Sequence, residues 1–192
     1  AKLFAKAINC ASPDGCNPCL KCDACIQATA DDNMDIIEID AASNNGVDNI
    51  RDIRDKVIFA PTVGKYKVYI IDEVHMLSGG AFNALLKTLE EPPKHAVFIL
   101  ATTEIHKLPA TILSRCQRFD FKLISTDVIF DRLKFVLEQS SASFEDGAID
   151  LIAKSASGGM RDALSLADVC LSYCGNNVTY EDAKNVLGVS DR

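Results

Sequence analysis

The sequence predicts an α/β fold in which a parallel sheet is covered by helices on both faces and is followed by a small, all-helical domain. Short apolar runs such as Val68 to Ile71 and Val97 to Ala101 alternate with helical patterns up to about residue 120. Continuous apolar strands are typical of parallel sheets that are buried on both sides. After about Ser125 the 3.6-residue period of helices takes over. We therefore expect an α/β domain at 1–125 and a helical domain at 126–192.

Hydrophobic periodicity and Gly or Pro breaks give the individual elements. In the first domain they are a helix ending near Asn9, a strand at Ile36 to Asp40, a helix at Val47 to Phe59 stopped by Pro61, a strand ending at Ile71, a helix at Gly80 to Glu90, a strand at Val97 to Ala101 and a short alternating strand at Phe119 to Phe121. In the second domain they are helices at Val128 to Gln139, Phe144 to Ser155, Met160 to Cys174 and Tyr180 to Leu187.

Composition limits the classes of protein that the chain can belong to. With 192 residues, 48% of them hydrophobic, it can bury one full core and a small second domain. No apolar run approaches the roughly 18 residues that a membrane span requires, and no basic-then-apolar leader precedes Ala1. We expect a soluble, cytoplasmic protein with no membrane partner. The formal charge of −7 argues against a free-standing, non-specific DNA binder.

A cluster of cysteines near the start predicts a structural zinc site. Two-residue gaps let successive thiolates turn back onto one ion, and four of them form a closed tetrahedral zinc site. Disulfides are disfavoured in a reducing compartment, and the ferredoxin run requires a longer final gap followed by proline. The spacing leaves open whether Cys10 or Cys16 is the fourth ligand. The five candidates, in a module at about 10–25, are Cys10, Cys16, Cys19, Cys22 and Cys25.

Two adjacent carboxylates, Asp72 and Glu73, follow the apolar strand that ends at Ile71. Ligands of α/β proteins bind at the carboxyl ends of the strands. There an Asp can hold Mg²⁺ through water, and a following Glu can polarise an attacking water. This is the Walker B arrangement of a nucleoside triphosphatase. For a single acidic residue, capping of the next helix would be the simpler interpretation.

Three further residues are candidates for the same site. Thr103 follows the strand that ends at Ala101, where a hydroxyl could bind a γ-phosphate or orient water, although a helix cap is a common alternative. Arg115 ends a short helix and suits a phosphate-directed finger. Arg161 lies in the first turn of a helix, where the helix dipole disfavours a cation, and residues placed against local preference are more often functional.

Taken together, these motifs resemble the gamma/tau clamp-loader family of bacterial DNA polymerase III over essentially the whole chain. The matching stretches are Cys10 with Pro18-Cys19, Cys22 and Cys25; Glu38 to Ser43; Ile71-Asp72-Glu73-Val74-His75-Met76-Leu77; Asn83 to Pro93; Ala101-Thr102-Thr103; and Ser114-Arg115-Cys116.

The resemblance implies an AAA+ nucleotide-binding domain with an inserted zinc module, followed by a helical lid domain. It implies an ATPase that uses ATP and Mg²⁺ to place a sliding clamp on primer-template DNA, together with other clamp-loader subunits. Asp72 and Glu73 would form Walker B, Thr103 sensor 1 and Arg161 sensor 2, with Asp72, Thr103 and Arg161 binding the nucleotide. Arg115 would be the arginine finger, acting in trans. Zinc would be held by Cys10, Cys19, Cys22 and Cys25.

One departure from the family concerns the phosphate loop Gly-x-x-x-x-Gly-Lys-[Ser/Thr], which these 192 residues lack; Gly64-Lys65-Tyr66 has neither the upstream glycine nor the hydroxyl. We expect an N-terminally truncated chain whose sheet has a gap or an exposed edge. We also expect that this fragment does not hydrolyse ATP, because the loop that cradles the phosphates is absent.

Two alternatives to a catalytic clamp-loader subunit are open. The chain could be a non-catalytic clamp-loader subunit that contributes an arginine finger and zinc-module contacts. It could also be a helicase, as the Asp-Glu-x-His string suggests, but a helical domain of this size is too small to be a second motor domain.

Overall fold

The computed structural model describes residues 1–30, 33–140 and 142–189. The chain divides into two compact units, Ala1–Arg118 and Phe119–Arg192. The elements of the first unit are α1 (Lys2–Asn9), α2 (Asp23–Gln27), β1 (Ile36–Asp40), α3 (Val47–Val57), β2 (Lys67–Asp72), α4 (Gly79–Glu90), β3 (Ala96–Leu100) and α5 (Ala110–Leu113). Those of the second are α6 (Thr126–Gln139), β4 (Ser143–Phe144), α7 (Asp146–Ser155), α8 (Met160–Cys174), β5 (Asn177–Val178) and α9 (Tyr180–Leu187).

The first unit contains the predicted parallel sheet, with strand order β1-β2-β3. The central strand buries alternate residues on opposite faces. Val68 and Ile70 pack with Ala5 of α1, whereas Tyr69 and Ile71 pack into the core formed with α3 and α4. Burial on both faces explains why the strand is apolar without alternation. Asp40 and Asp72 are paired in register, so β1 and β2 end side by side.

The strand β3 lies at an edge of this sheet in the described part of the chain. All five of its residues are partly exposed.

The prediction of a strand at Phe119 to Phe121 was wrong. This segment has no regular secondary structure, and the two phenylalanines are 70% and 95% exposed. A strand exists only with a hydrogen-bonded neighbour, and no described strand pairs with this one.

The second unit is almost entirely helical, and the four helices predicted from periodicity are present, two with the predicted bounds and two with a shifted first residue. The first begins two residues earlier, at Thr126, and the second begins at Asp146. Phe144 instead lies in β4, which pairs with β5. The core of this unit includes Ile129, Leu133 and Ile152 from α6 and α7, all fully buried. None of the described helices is long and apolar enough to cross a bilayer.

Candidate functional site

The carboxyl ends of β2 and β3 bring three of the predicted site residues together. Asp72 is the last residue of β2 and is exposed. Glu73, directly after it, has φ 46° and ψ 43°, a left-handed conformation that is uncommon for residues other than glycine. The turn is fixed across the strands, because the Val74 N–H donates to the Ala101 carbonyl at 2.9 Å. Strained backbone of this kind persists where the surrounding structure enforces it, and it is concentrated at active sites.

The carboxylate of Glu73 is held by side chains from both strands. The Thr103 hydroxyl donates to Glu73 Oε2 at 3.2 Å, and His75 Nδ1 lies 3.2 Å from the same oxygen. His75 Nδ1 is also 2.9 Å from Thr102 Oγ1. The structure thus brings Asp72, Glu73 and Thr103 into one cluster. It adds His75 and Thr102, to which the sequence analysis assigned no role although both lie within the quoted motifs.

Asp40, at the end of β1, is a further acidic group beside Asp72. Its Oδ2 accepts from the Ser43 hydroxyl at 2.7 Å, and its Oδ1 accepts from the Ala42 N–H at 2.9 Å. The Ser43 hydroxyl, followed by the Ala42 N–H, lowers the pKa of Asp40 below its usual value. Two carboxylates, Asp40 and Asp72, therefore end adjacent strands at one edge of the sheet, which favours a cation there.

Arg115 follows α5 in the first unit and is held at two points. Its Nη2 donates to Glu90 Oε1 at 3.0 Å, and its Nη1 donates to the Thr111 carbonyl at 2.8 Å. Its side chain is 35% exposed. A guanidinium that is fixed on its own subunit and still reachable is suited to contact a phosphate of another molecule, because little side-chain freedom is lost on binding.

Arg161 lies in the first turn of α8 in the second unit, and it is exposed. The turn before it needs glycine: Gly158 has φ 88°, and a Cβ on this residue would meet Leu123 Cβ at 2.6 Å. Arg161 makes no hydrogen bond or ion pair with the residues that the structure describes. Its proposed approach to the cluster of the first unit stays a prediction.

Four cysteines of the first unit form a second candidate site. The Sγ atoms of Cys10, Cys19, Cys22 and Cys25 lie within 4.8 Å of one another. Cys16 is exposed and lies outside this group. Thiolates at about 2.3 Å from a tetrahedral ion would be spaced by about 3.8 Å, so a small contraction would complete the arrangement.

Backbone donors already surround these sulfurs. The Cys19 N–H donates to Cys10 Sγ at 3.2 Å, and the Cys22 N–H donates to Cys19 Sγ at 3.4 Å. Backbone N–H groups, first that of Ala11, lower the pKa of Cys22 to about 6. Burial raises the pKa of Cys25 to about 12. The buried sulfur would therefore become a thiolate only beside a cation, and the donor set fits a soft divalent metal.

Comparison with known proteins places both units in one family. The family model described as DNA polymerase III, delta subunit, matches residues 1–125. The model described as the ATPase lid domain of the DNA polymerase III clamp loader subunit matches residues 128–176. The DNA polymerase III subunit tau of Bacillus subtilis is 59% identical over 188 residues, which are 98% of this chain and 33% of that protein. The chain thus spans about a third of the length of this relative.

Solved structures agree with this result. A DNA polymerase III gamma subunit-related protein from Thermotoga maritima is 28% identical, with a TM-score of 0.50, over 72% of this chain and 46% of that one. The RuvB Holliday junction branch migration motor of Thermotoga maritima is 18% identical, with a TM-score of 0.65, over 81% of this chain and 53% of that one. The second likeness shows the fold alone. The chain therefore has an AAA+ ATPase fold and belongs to the clamp-loader subunit family of DNA polymerase III.

Proposed function

We propose that the protein is an ATPase subunit that loads the sliding clamp of the bacterial replicative DNA polymerase onto primer-template DNA. The observation that carries this proposal is the cluster at the ends of β2 and β3, where Asp72, Glu73 and Thr103 meet on the edge at which α/β proteins bind ligands. Besides DNA, the proposed partners of the protein are the other clamp-loader subunits and the sliding clamp. As a replication protein, it acts in the cytoplasm.

Each residue of the cluster has a role that follows from its chemistry. Asp72 is exposed and offers hard oxygen ligands, so it would hold Mg²⁺, which would neutralise charge on the phosphates of ATP. Glu73 is the general base that orients and polarises the attacking water. Thr103 donates to the Glu73 carboxylate, and its hydroxyl would sense the γ-phosphate as sensor 1.

The two arginines complete the proposed site. Arg161 is proposed to contact the nucleotide as sensor 2, and Arg115 is proposed to act in trans on ATP that a neighbouring subunit holds. Cations at the transferred phosphoryl group stabilise the charge of the transition state. The two contacts that hold the Arg115 guanidinium support its role as a preset finger.

The four-cysteine group is proposed to hold structural zinc through Cys10, Cys19, Cys22 and Cys25. A closed site with four thiolates has no open position for a substrate, so the ion would stabilise the fold and take no part in the reaction.

The decisive experiment is Glu73→Gln in the full-length protein assembled with its partner subunits. The substitution removes the base and preserves the shape of the side chain. We expect turnover to fall by roughly 10² to 10⁴, while ATP binding and the thermal midpoint stay close to wild type. The control is Glu91→Gln, an exposed carboxylate for which no role is proposed.

A non-catalytic subunit that contributes Arg115 and the zinc module is the second candidate, favoured by the preset guanidinium. If this second candidate is correct, Glu73→Gln leaves the turnover of the complex unchanged and Arg115→Ala lowers it. Unchanged turnover in both variants would contradict both candidates.

A further inference from the structure

We infer that His75 is a positioning residue for the Glu73 carboxylate. Its side chain is 7% exposed, whereas that of Glu73 is 37% exposed. The buried imidazole ring therefore contacts a partly exposed carboxylate and restricts the rotation of that carboxylate. The inference rests on the proposed function, because it concerns how the base of that reaction is oriented.

The hydrogen-bond pattern assigns a direction to this contact. The Glu73 carboxylate can only accept, so a ring nitrogen 3.2 Å away stabilises it when that nitrogen carries the proton. Thr102 Oγ1 lies 2.9 Å from the same nitrogen and already accepts from the Glu104 N–H at 2.9 Å. A proton on Nδ1 faces the Glu73 carboxylate, which can only accept, and the Thr102 hydroxyl, which has a second lone pair with which to accept. His75 links the ends of the two strands through one nitrogen.

The two donors that reach Glu73 bind the same oxygen. Both His75 Nδ1 and the Thr103 hydroxyl lie 3.2 Å from Oε2. Oε1 takes no hydrogen bond from the residues that the structure describes. With Oε2 held from two directions and the backbone of Glu73 fixed in a left-handed turn, Oε1 is the oxygen left for the attacking water. An oriented base matters because misplacement by about 1 Å can cost a factor of about 10² in rate.

Amide substitutions test which nitrogen matters. In His75→Asn the amide N–H₂ takes the position of Nδ1–H, whereas in His75→Gln it reaches the position of Nε2 and leaves Nδ1 without a counterpart. In the full-length, assembled protein we expect His75→Gln to lower kcat by about tenfold to a hundredfold, with the KM for ATP unchanged. His75→Asn recovers most of this loss. A purely structural role of the ring would make both variants equally defective.

Two controls separate this inference from the proposed function. His106→Asn changes a histidine that is 76% exposed and should leave kcat unchanged. Glu73→Gln is measured in parallel. If Glu73→Gln abolishes turnover but both His75 variants retain wild-type kcat, or both lose it equally, the positioning role is overturned and the proposed function stands. If Glu73→Gln itself retains turnover, the positioning role of His75 and the proposed function are both overturned. Thermal unfolding of each variant shows whether a loss of kcat reflects a loss of fold.

Discussion

Asp35 provides the most quantitative prediction, because this buried carboxylate fixes the segment that leads into β2. It is 4% exposed and accepts three backbone N–H groups: Thr62 at 2.6 Å on Oδ1, and Val63 and Gly64 at 2.8 Å each on Oδ2. This segment connects α3 to β2, the strand that ends at Asp72.

The expected cost of Asp35→Asn follows from this geometry. Whichever way the new amide is turned, its N–H₂ group faces at least one backbone N–H, so at least one hydrogen bond is lost. A bond to a charged group contributes roughly 1.5–3 kcal/mol, and a neutral bond roughly 0.5–1.5 kcal/mol. Losing one charged bond and weakening the other two from charged to neutral bonds gives about 3.5–6 kcal/mol. This is a large fraction of the stability of a typical domain.

The pH dependence of this effect has a definite sign. Burial alone would raise the pKa of Asp35, but the N–H groups of Gly64, Thr62 and Val63 together hold the pKa below its usual value. A carboxyl group whose pKa is lower in the folded state stabilises the fold above its unfolded pKa, about 3.9. That stabilisation is lost as the pH falls through the folded pKa. The difference between wild type and Asp35→Asn should be full at neutral pH and should shrink below about pH 4.

Urea unfolding at pH 7 measures the free energy of unfolding. If the slope of this free energy against urea concentration is the same in wild type and variant, the substitution has left the surface exposed on unfolding unchanged. Asp55→Asn is the control, because Asp55 is 67% exposed and pairs with Arg54 at the surface. We expect this control to cost less than about 1 kcal/mol. If Asp35→Asn costs no more than Asp55→Asn, the account of the buried carboxylate is refuted.

Two further predictions concern the metal and the nucleotide. We expect metal analysis to find one zinc per chain. Cys22→Ser should lose the metal and lower the thermal midpoint, whereas Cys16→Ser should keep one zinc, because the Cys16 sulfur lies outside the cluster. Equal loss of metal in both variants would contradict the assignment of the ligands. We also expect the 192-residue polypeptide to bind and hydrolyse no appreciable ATP, because it lacks the motif that cradles the phosphates. Submicromolar ATP binding in calorimetry would contradict this second prediction.

Much of the fold could be predicted from local patterns. The apolar run up to Ile71 predicted a strand buried on both faces, which is confirmed, and the helical stripe of residues 160–174 gave the bounds of α8. The segment at Phe119 to Phe121 alternates like a strand but forms none. Alternation reports only which side chains could share a face, whereas a strand also requires a neighbour to which its backbone can bond.

The sequence analysis named Asp72, Glu73 and Thr103 for the candidate site, but it assigned no role there to His75 or Thr102. Two carboxylates directly after an apolar strand can be recognised from the sequence, because ionised groups at that point require water or a cation. The contact of His75 with Glu73 could not be recognised, since it depends on the left-handed turn at Glu73 and on the segment after β3 in which Thr102 lies.

The sequence by itself determined the three strands of the parallel sheet and the longer helices, and it predicted the residue types of both candidate sites, because hydrophobic period and residue chemistry are local properties. Only the tertiary structure decided which groups meet. Spacing allowed either Cys10 or Cys16 as the fourth member of the sulfur cluster, and the fold brings Cys10 to the other three. In the same way, the parallel pairing of β2 with β3 brings Thr103 to Glu73 across 30 residues of sequence. Such contacts depend on long-range packing, which no local pattern encodes.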